Sequence, residues 1–248
     1  ECYRGNPLVN AMCVGLLPAE RLMRGRASGE GNLVLLAGAL TGRDGIHGVT
    51  FASVELTAEI EEEERLPVQV GDAALGKALL EATLDVIEKD LAVGVQDLGG
   101  AGLTCAVTET AARAGSGIEL ELELVPLREE GMTAYEILTS ESQERMLIIV
   151  NKGHEAEVQR IFDKWNVPWA QVGFVTDTGR MVVKNQGQTV ADIPAAKIAN
   201  DSPVYHCDSK EPAYLEEVRA FRVEGGIPDT ANPQKELEAL LQEQIGRA

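Results

Sequence analysis

Residues 91–114 read LAVGVQDLGGAGLTCAVTETAARA, and this stretch decides the fold class. The short apolar run at residues 91–95 is typical of a buried strand. Three glycines follow at positions 99, 100 and 102, and residues 104–114 predict a helix that ends at Gly115. A strand, a glycine-rich turn and a helix in this order indicate one β–α unit of an α/β protein.

The same alternation of strands and helices continues on both sides of this unit. Apolar or alternating runs of strand length recur at residues 8–17, 32–40, 118–125, 145–150, 169–175, 180–184 and 189–193. Helical patterns recur at residues 72–89, 133–138, 155–165 and 232–244. Asp72 is placed to cap the first of these helices. Together these segments predict an α/β (α+β) domain, a mixed sheet with flanking helices, over residues 31–200.

The composition changes after residue 200. Residues 201–248 contain four of the ten prolines and few aliphatic side chains, which predicts a linker. The chain begins ECYRGN, without a methionine, and this start reads as the middle of a protein. We therefore expect an internal fragment of a longer protein.

The charge of the chain excludes some partners. There are 22 basic and 40 acidic side chains, which gives a net charge of −18. Residues 61–150 alone carry 6 basic and 19 acidic side chains, a balance of −13. Such acidity argues against broad electrostatic binding to nucleic acid or to an anionic membrane. It is compatible with a phosphorylated small molecule that binds through metal ions.

Two further features concern the cellular setting. No apolar run approaches the ~18 residues that a membrane-spanning helix needs. The four cysteines lie far apart without CxxC spacing, which favours reduced thiols over a disulfide framework or a zinc site. We therefore expect a cytoplasmic protein with no nucleic-acid or membrane partner.

The first candidate site is the turn at residues 95–103. Asp97 directly follows a strand, where a carboxylate is well placed to hold Mg²⁺ against a phosphate. Glycines let backbone N–H groups approach an anion, and the N-terminus of the next helix adds positive potential. The alternative is a tight β–α turn that Asp97 caps, and the pattern alone does not separate the two. The spacing matches neither GxGxxG nor a Walker sequence.

Two other polar loops are candidates. Residues 41–48 (TGRDGIHG) are compatible with a phosphate site or with His47 as an acid or base. A glycine-dense turn is the alternative, and we favour it for His47 because no partner base or nucleophile is identifiable nearby. Residues 139–145 (TSESQER) precede a buried strand and suit ligand recognition, although a plain polar connection is favoured from the residues alone.

Five segments carry a family resemblance. They are NPLVNAMCVG (residues 6–15), GRDGIHGVTFAS (42–53), VQVGD (68–72), QDLGGAGL (96–103) and SESQERM (140–146). In order and spacing they resemble phosphoribosylformylglycinamidine synthase, synthetase subunit II, of the aminoimidazole ribonucleotide synthetase superfamily. The resemblance covers most of residues 6–200, and GRDGIHG–TFAS together with SESQERM makes it specific.

The resemblance implies a domain arrangement. Residues 1–30 would be the tail of an N-type ATP-binding domain. Residues 31–200 would form a domain like the C-terminal domain of aminoimidazole ribonucleotide synthetase, and residues 201–248 would link it to a missing second half. The family's catalytic histidines and its ATP- and Mg²⁺-binding segment belong to an N-terminal region that is missing here. We therefore expect a partial ligand site and no turnover by the chain alone.

The resemblance also implies an activity for the longer parent protein. Such an enzyme uses ATP and Mg²⁺ to convert formylglycinamide ribonucleotide into its amidine in de novo purine biosynthesis. ATP phosphorylates the amide oxygen to give an iminophosphate, and ammonia then displaces phosphate. A glutaminase subunit supplies the ammonia, and a small accessory subunit completes the complex.

For individual residues, the resemblance implies a short set of roles. Asp97 resembles a Mg²⁺ ligand, and Gln69 resembles a substrate-binding residue. Glu141, Ser142 and Gln143, here named the ESQ segment, resemble the substrate-binding stretch of the family. A hard carboxylate suits Mg²⁺, and neutral donors and acceptors suit a ligand with amide and ribose groups.

Some interpretations stay open. The resemblance gives no role to Arg43, Asp44 or His47. Another member of the superfamily is one alternative, such as the next purine enzyme, selenophosphate synthetase or thiamine-monophosphate kinase. SESQERM and the long linker disfavour these enzymes. A noncatalytic substrate- or nucleotide-binding module is the alternative from a different functional class.

Overall fold

The structure, a computed structural model, describes residues 12–48, 71–201, 203–206, 208, 210–222 and 232–245. The chain divides into two units, Glu1–Pro203 and Val204–Ala248, and each is treated by itself. Within the described ranges, no helix combines the length and the apolar character that crossing a membrane requires.

The first unit is built on a mixed β-sheet. Its strands in the described residues are β1 Leu33–Gly38, β2 Ala92–Asp97, β3 Gly117–Glu121, β4 Arg145–Val150, β5 Trp169–Thr176, β6 Arg180–Asn185 and β7 Gln188–Pro194. Across the sheet they follow the order β2-β4-β1-β5-β3-β6-β7. β3 and β6 pair in parallel, and the other neighbours pair antiparallel. The predicted mixed sheet is thereby confirmed.

Helices flank this sheet on both faces. They are α1 Ala73–Glu88, α2 Gly102–Ala114, α3 Ala134–Thr139, α4 Glu155–Trp165 and α5 Ala195–Asn200. Val34 and Leu36 of β1 belong to a buried cluster with α2, whereas Leu33 and Leu35 belong to a second cluster with α1 and α4. Successive side chains of a strand point to opposite faces, so a strand buried on both sides must be apolar throughout. This explains the uninterrupted apolar run of β1.

Local sequence signals determine where two of these helices begin and end. Asp72 caps α1, and its Oδ1 accepts hydrogen bonds from Ala74 N at 2.9 Å and from Leu75 N at 3.0 Å. Gly115 follows α2 with a φ of 69°, a left-handed conformation that glycine adopts readily. Both predictions from the sequence are confirmed.

The strand predicted at residues 8–17 is wrong for the part that the structure describes. Residues 12–17 form no strand, and the side chains of Met12 and Leu16 are exposed. An apolar run indicates burial only when other elements cover it, and the described residues provide no ladder partner for this run. Residues 8–11 lie outside the described residues.

The alternating run at residues 118–125 forms a strand over less than its predicted length. β3 ends at Glu121, and a 3₁₀ turn at Leu122–Leu124 follows. Glu121 pairs with Lys184, and β6 ends one residue later, so little of β6 remains to pair with the following residues. Alternating polar and apolar side chains indicate which face of a strand is exposed to solvent, but they do not indicate where its partner strand ends.

The second unit contains two helices in its described residues, α6 Leu215–Ala220 and α7 Pro233–Ile245. α7 confirms the helix predicted at residues 232–244, whereas α6 has no counterpart among the helices predicted from the sequence. Apart from the half-buried Leu215, the described side chains of this unit are exposed. Its role as a linker stays a prediction.

Candidate functional site

Three loops meet at one edge of the sheet. β1 and β2 end there and β4 begins there, since Gly38 pairs with Arg145 and Asp97 pairs with Met146 in antiparallel ladders. The loops are named the GRDG loop (residues 41–48), the glycine loop (residues 98–102) and the pre-β4 loop (residues 140–144), which contains the ESQ segment.

A surface pocket of about 370 Å³ opens at this edge. Asp97 and Leu98 border it from the end of β2, residues 143–146 border it from the pre-β4 loop and β4, and α1 forms an apolar wall. The structure therefore brings Asp97 and Gln143 together, although they are far apart in the sequence. Glu144 adds a second carboxylate to the wall. Neither Glu144 nor the contribution of α1 is predicted from the sequence: Glu144 lies within SESQERM without an assigned role, and α1 carries no recognisable motif.

Asp97 lies exposed at the end of β2. Its Oδ1 accepts a hydrogen bond from Gln96 Nε2 at 2.8 Å, and Gln96 Oε1 accepts one from Arg113 Nη1 at 2.8 Å. The N-cap residue of α2 is Ala101, not Asp97. The alternative in which Asp97 caps the helix is therefore wrong, and its carboxylate remains exposed to solvent.

The glycine loop packs directly against the pre-β4 loop. Gly102 has a φ of 51°, and a Cβ atom at this position would lie closer than 3.0 Å to the carbonyl oxygen of Ser140. Glycine is required here for the left-handed backbone and for the close approach of two backbones. The Ala101 amide donates a hydrogen bond to Glu141 Oε1 at 3.0 Å. A carboxylate of the protein itself therefore binds the amide at the N-terminus of α2.

Buried hydrogen bonds join the GRDG loop to the pre-β4 loop. Ser142 is 2% exposed and donates its hydroxyl to the Asp44 carboxylate, 98 residues away in sequence. The same hydroxyl oxygen accepts a hydrogen bond from Gly42 N at 2.9 Å, and the Ser140 hydroxyl donates to the Gly42 carbonyl at 2.6 Å. The Glu141 amide donates to the Asp44 carbonyl at 2.8 Å. The two motifs thus form one contact.

Arg145 completes this contact from the first position of β4. Although it is only 3% exposed, Nε donates to the Ser142 carbonyl at 2.9 Å and Nη2 to the Ser140 carbonyl at 2.6 Å. Nη1 donates to Thr41 Oγ1 at 2.9 Å. Burial lowers the pKa of Arg145 to about 10 while the charge of Asp44 opposes this effect, so the guanidinium stays charged at neutral pH. Arg145 is not among the residues predicted from the sequence, where its signal is an arginine at the start of the buried run RMLIIV.

Asp44 is the carboxylate of the contact. Burial alone would raise the pKa of Asp44, but hydrogen bonds from Ser142 and Arg128 outweigh burial. With the charges of Arg128 and Arg145, they hold the pKa below its ordinary value. Arg128 Nη2 lies 2.8 Å from both carboxylate oxygens. Asp44 is therefore ionised at neutral pH.

The other polar residues of the GRDG loop lie nearer to solvent. Arg43 forms ion pairs with Glu129 at 2.9 Å and with Glu136 at 2.7 Å. The hydrogen bond from Arg43 is the largest of the effects that lower the pKa of Glu136 to about 2. His47 has a φ of 70°, and its Nδ1 lies 3.5 Å from the Tyr135 hydroxyl. These contacts describe a structured surface turn.

The predicted metal site depends on Asp97. Within the described ranges, no group of three or more His, Cys, Asp or Glu side chains is arranged to hold a metal ion. Mg²⁺ commonly takes one or two protein carboxylates and completes its shell with water and substrate phosphates. An exposed carboxylate at a pocket wall fits such a shared ion, whereas the described residues do not form a metal cage. Gln69, which the resemblance gives a substrate-binding role, lies outside the described residues.

This architecture defines the chain as an α/β domain whose glycine-rich and polar loops lie together where β1 and β2 end and β4 begins. Residues 29–185 match the family described as AIR synthase related protein, C-terminal domain. The chain belongs to this family.

Solved structures from Thermotoga maritima show which kind of protein within this family the chain is similar to. PurL complexed with FGAR is 34% identical, with 78% of this chain and 32% of that chain covered and a TM-score of 0.68. Phosphoribosylformylglycinamidine synthase II is 31% identical, with 78% and 30% covered and a TM-score of 0.63. The PurLQS structure is 31% identical, with 79% and 31% covered and a TM-score of 0.64. Other matching T. maritima PurL structures are complexes with ATP and with ADP.

The chain spans about a third of the length of these matched chains. The resemblance to the phosphoribosylformylglycinamidine synthase family that the motifs indicate is confirmed.

Proposed function

We propose that the chain is part of a phosphoribosylformylglycinamidine synthase, an ATP-dependent ligase of purine biosynthesis. In this proposal the whole protein converts formylglycinamide ribonucleotide (FGAR) into its amidine with ATP, Mg²⁺ and ammonia from a glutaminase subunit. A small accessory subunit completes the complex, and the enzyme works in the cytoplasm. The observation that carries the proposal is the meeting of QDLGGAGL and SESQERM at one strand edge. The similarity to PurL complexed with FGAR supports it.

The proposed substrate contacts come from Gln69 and the ESQ segment. Gln143 is the member that borders the pocket beside Asp97, and its amide group can both donate and accept hydrogen bonds. Glu141 and Ser142 are buried, and their contacts hold the segment against the glycine loop and the GRDG loop. The segment therefore presents one neutral polar side chain on a fixed backbone, which suits an amide- and ribose-bearing ligand.

Asp97 is the proposed Mg²⁺ ligand. When bound, Mg²⁺ would neutralise charge on a phosphate and help oxygen to leave after its phosphorylation. The region is acidic, and the Ala101 amide at the N-terminus of α2 already binds Glu141. A bound cation would therefore supply the positive charge that a phosphate needs there. Asp97 would hold the ion from the protein side, and a phosphate would complete its shell.

The whole protein that contains this chain provides the test. With FGAR, ATP, Mg²⁺ and ammonia it should form the amidine, and Asp97→Asn should lower kcat/KM by at least about 100-fold. Mutating a residue that holds a metal ligand in place typically lowers metal affinity or activity about 10- to 100-fold. A direct ligand such as Asp97 should cost at least the upper end of that range. Asp163→Asn on α4 is the matched control, since it removes the same charge from an exposed position and should change turnover less than about twofold.

The outcomes separate the alternatives. No amidine from the wild-type protein would overturn the proposal, and turnover of another superfamily substrate would identify which relative it is. Unchanged turnover in Asp97→Asn would overturn the metal assignment. Calorimetry on the 248-residue chain with FGAR and with ATP and Mg²⁺ tests the noncatalytic module. That module predicts binding at most and no product, whereas product from the chain alone would contradict it.

A further inference from the structure

The GRDG loop and the pre-β4 loop share a set of polar residues, here named the buried clamp: Thr41, Asp44, Ser140, Ser142 and Arg145. Each of the five is at most 9% exposed. Among the described residues, no buried side-chain nitrogen or oxygen lacks a hydrogen-bond partner. A polar network that is both buried and fully satisfied is rigid and favours a single arrangement of the backbone around it.

Arg145 fixes the backbone of the ESQ segment. The segment lies between the end of α3 and the start of β4, where neither helical nor strand hydrogen bonds hold the chain. The guanidinium donates to the carbonyls of Ser140 and Ser142, one on each side of Glu141. The planar fork of arginine allows one side chain to bind both carbonyls, which lysine with its single ammonium centre cannot reproduce.

Asp44 fixes the same segment from the side. Its carboxylate accepts the Ser142 hydroxyl, and its carbonyl accepts the Glu141 amide at 2.8 Å. Its negative charge also faces the charge of Arg145, which would otherwise be buried without compensation. Asp44 is not among the described residues that border the pocket. Asp44 therefore reaches a ligand in the pocket through the residues that it contacts, and its hydrogen bonds hold two residues of the ESQ segment, Glu141 and Ser142.

We propose that Asp44 and Arg145 are positioning residues for the substrate, which act by holding the ESQ segment beside Asp97. This inference rests on the proposed function, because the ESQ segment binds FGAR in that proposal. It gives the GRDG loop the role of holding the ESQ segment, and this role depends on Asp44 and not on the glycines or on His47. It also explains why two motifs 98 residues apart in sequence belong together.

Steady-state kinetics of the whole protein test the inference. Asp44→Asn keeps the shape of the side chain and removes its charge, and Arg145→Lys keeps the charge and removes the fork. Each should raise KM for FGAR by up to about tenfold, the loss that corresponds to one displaced hydrogen bond to the substrate. Both kcat and KM for ATP should stay within about twofold of wild type, since the displaced contact to FGAR is made equally in the ground state and in the transition state.

A double-mutant cycle tests whether Asp44 acts through Ser142. If it does, Asp44→Asn combined with Ser142→Ala should raise KM for FGAR no further than the more damaging single change. In the Asp44→Asn and Arg145→Lys variants, hydrogen exchange measured by mass spectrometry should be faster than in wild type in residues 139–146 and unchanged in β5. This second measurement reads the arrangement of the loop without depending on activity.

The control is Lys184→Gln, which breaks a partly buried ion pair with Glu119 between β6 and β3. It should leave KM for FGAR and the exchange of residues 139–146 unchanged.

Each outcome decides one question. Wild-type turnover with clamp variants that behave like Lys184→Gln would overturn the positioning role and leave the proposed function standing. Equal rises in KM for FGAR and for ATP, or additive effects in the cycle, would also overturn it, because they indicate general damage or independent contacts. No wild-type turnover of FGAR would overturn the proposed function, and the positioning role for FGAR with it.

Discussion

Replacing Gly102 with alanine tests whether the glycine loop is a close backbone contact. Gly102 lies at the start of α2 with a φ of 51°, and a Cβ atom there would come closer than 3.0 Å to the Ser140 carbonyl oxygen. Gly115, at the other end of the same helix, has a φ of 69°, and a Cβ atom there would meet no other atom within 4 Å. The two glycines therefore share the backbone conformation and differ in the space around them.

The magnitudes follow from this difference. Alanine in a left-handed conformation costs about 1–2 kcal/mol, so Gly115→Ala should lose roughly that much stability. Gly102→Ala carries the same cost and adds a collision with backbone, for which overpacking typically costs about 1–3 kcal/mol more. At roughly 2–4 °C per kcal/mol for a domain of this size, Tm should fall by about 3–6 °C in Gly115→Ala and by about 10 °C in Gly102→Ala.

Thermal and urea unfolding of the two variants, measured side by side with wild type, provide the assay. The collision would push the pre-β4 loop away, so Gly102→Ala should also speed hydrogen exchange in residues 139–146, whereas Gly115→Ala should not. A loss in Gly102→Ala that does not exceed the loss in Gly115→Ala would refute the reasoning. The glycine would then serve only its own backbone conformation.

Two further predictions concern a helix cap and an ion pair. Asp72→Ala should lower the free energy of unfolding by about 1 kcal/mol because two amides of α1 lose their acceptor, and Asp72→Ser should lose less than half of that; equal losses in urea unfolding would contradict the cap. Hydrogen bonds from Arg43, the largest effect, and from Thr133 lower the pKa of Glu136 from 4.5 to about 2, so the stabilisation is complete above the higher value and is lost as the pH falls through the lower one. The stability difference between wild type and Arg43→Gln should therefore shrink over that interval, and a difference that stays constant there would contradict the coupling.

The sequence predicts the elements of the first unit well because their signals are local. The apolar run of β1, the stripe and cap of α1 and the glycine after α2 each act within a few residues. The failures share one cause. Residues 12–17 and the end of the run at residues 118–125 depend on whether another strand is present to pair with them. Pairing is a long-range property, and hydrophobic periodicity does not contain it.

The candidate site depends even more than the fold on long-range contacts that local sequence patterns do not contain. Pattern alone favours a plain polar connection for TSESQER, and it leaves TGRDGIHG open between a phosphate site and a glycine-dense turn. Each interpretation is reasonable for a loop taken by itself. The structure joins the loops through hydrogen bonds from Ser142 to Asp44 and from Arg145 to Thr41, pairs that are 98 and 104 residues apart in the sequence. Family resemblance points to the ESQ segment and to Asp97. It gives no role to Asp44 or Arg145, since buried contacts behind a binding segment leave no motif of their own.

The glycine loop combines features of an anion site and of a packing contact, and the geometry separates them. A helix N-terminus favours an anion, and the Ala101 amide of α2 binds the Glu141 carboxylate of this chain. A phosphate would have to displace that carboxylate to use the same amide, within a block whose charge balance is −13. Asp97, exposed at the end of β2, is the metal ligand of the proposed function, and a cation held there would bind phosphate without using the Ala101 amide. An acidic block and a phosphorylated ligand are therefore compatible at this edge when a cation joins them.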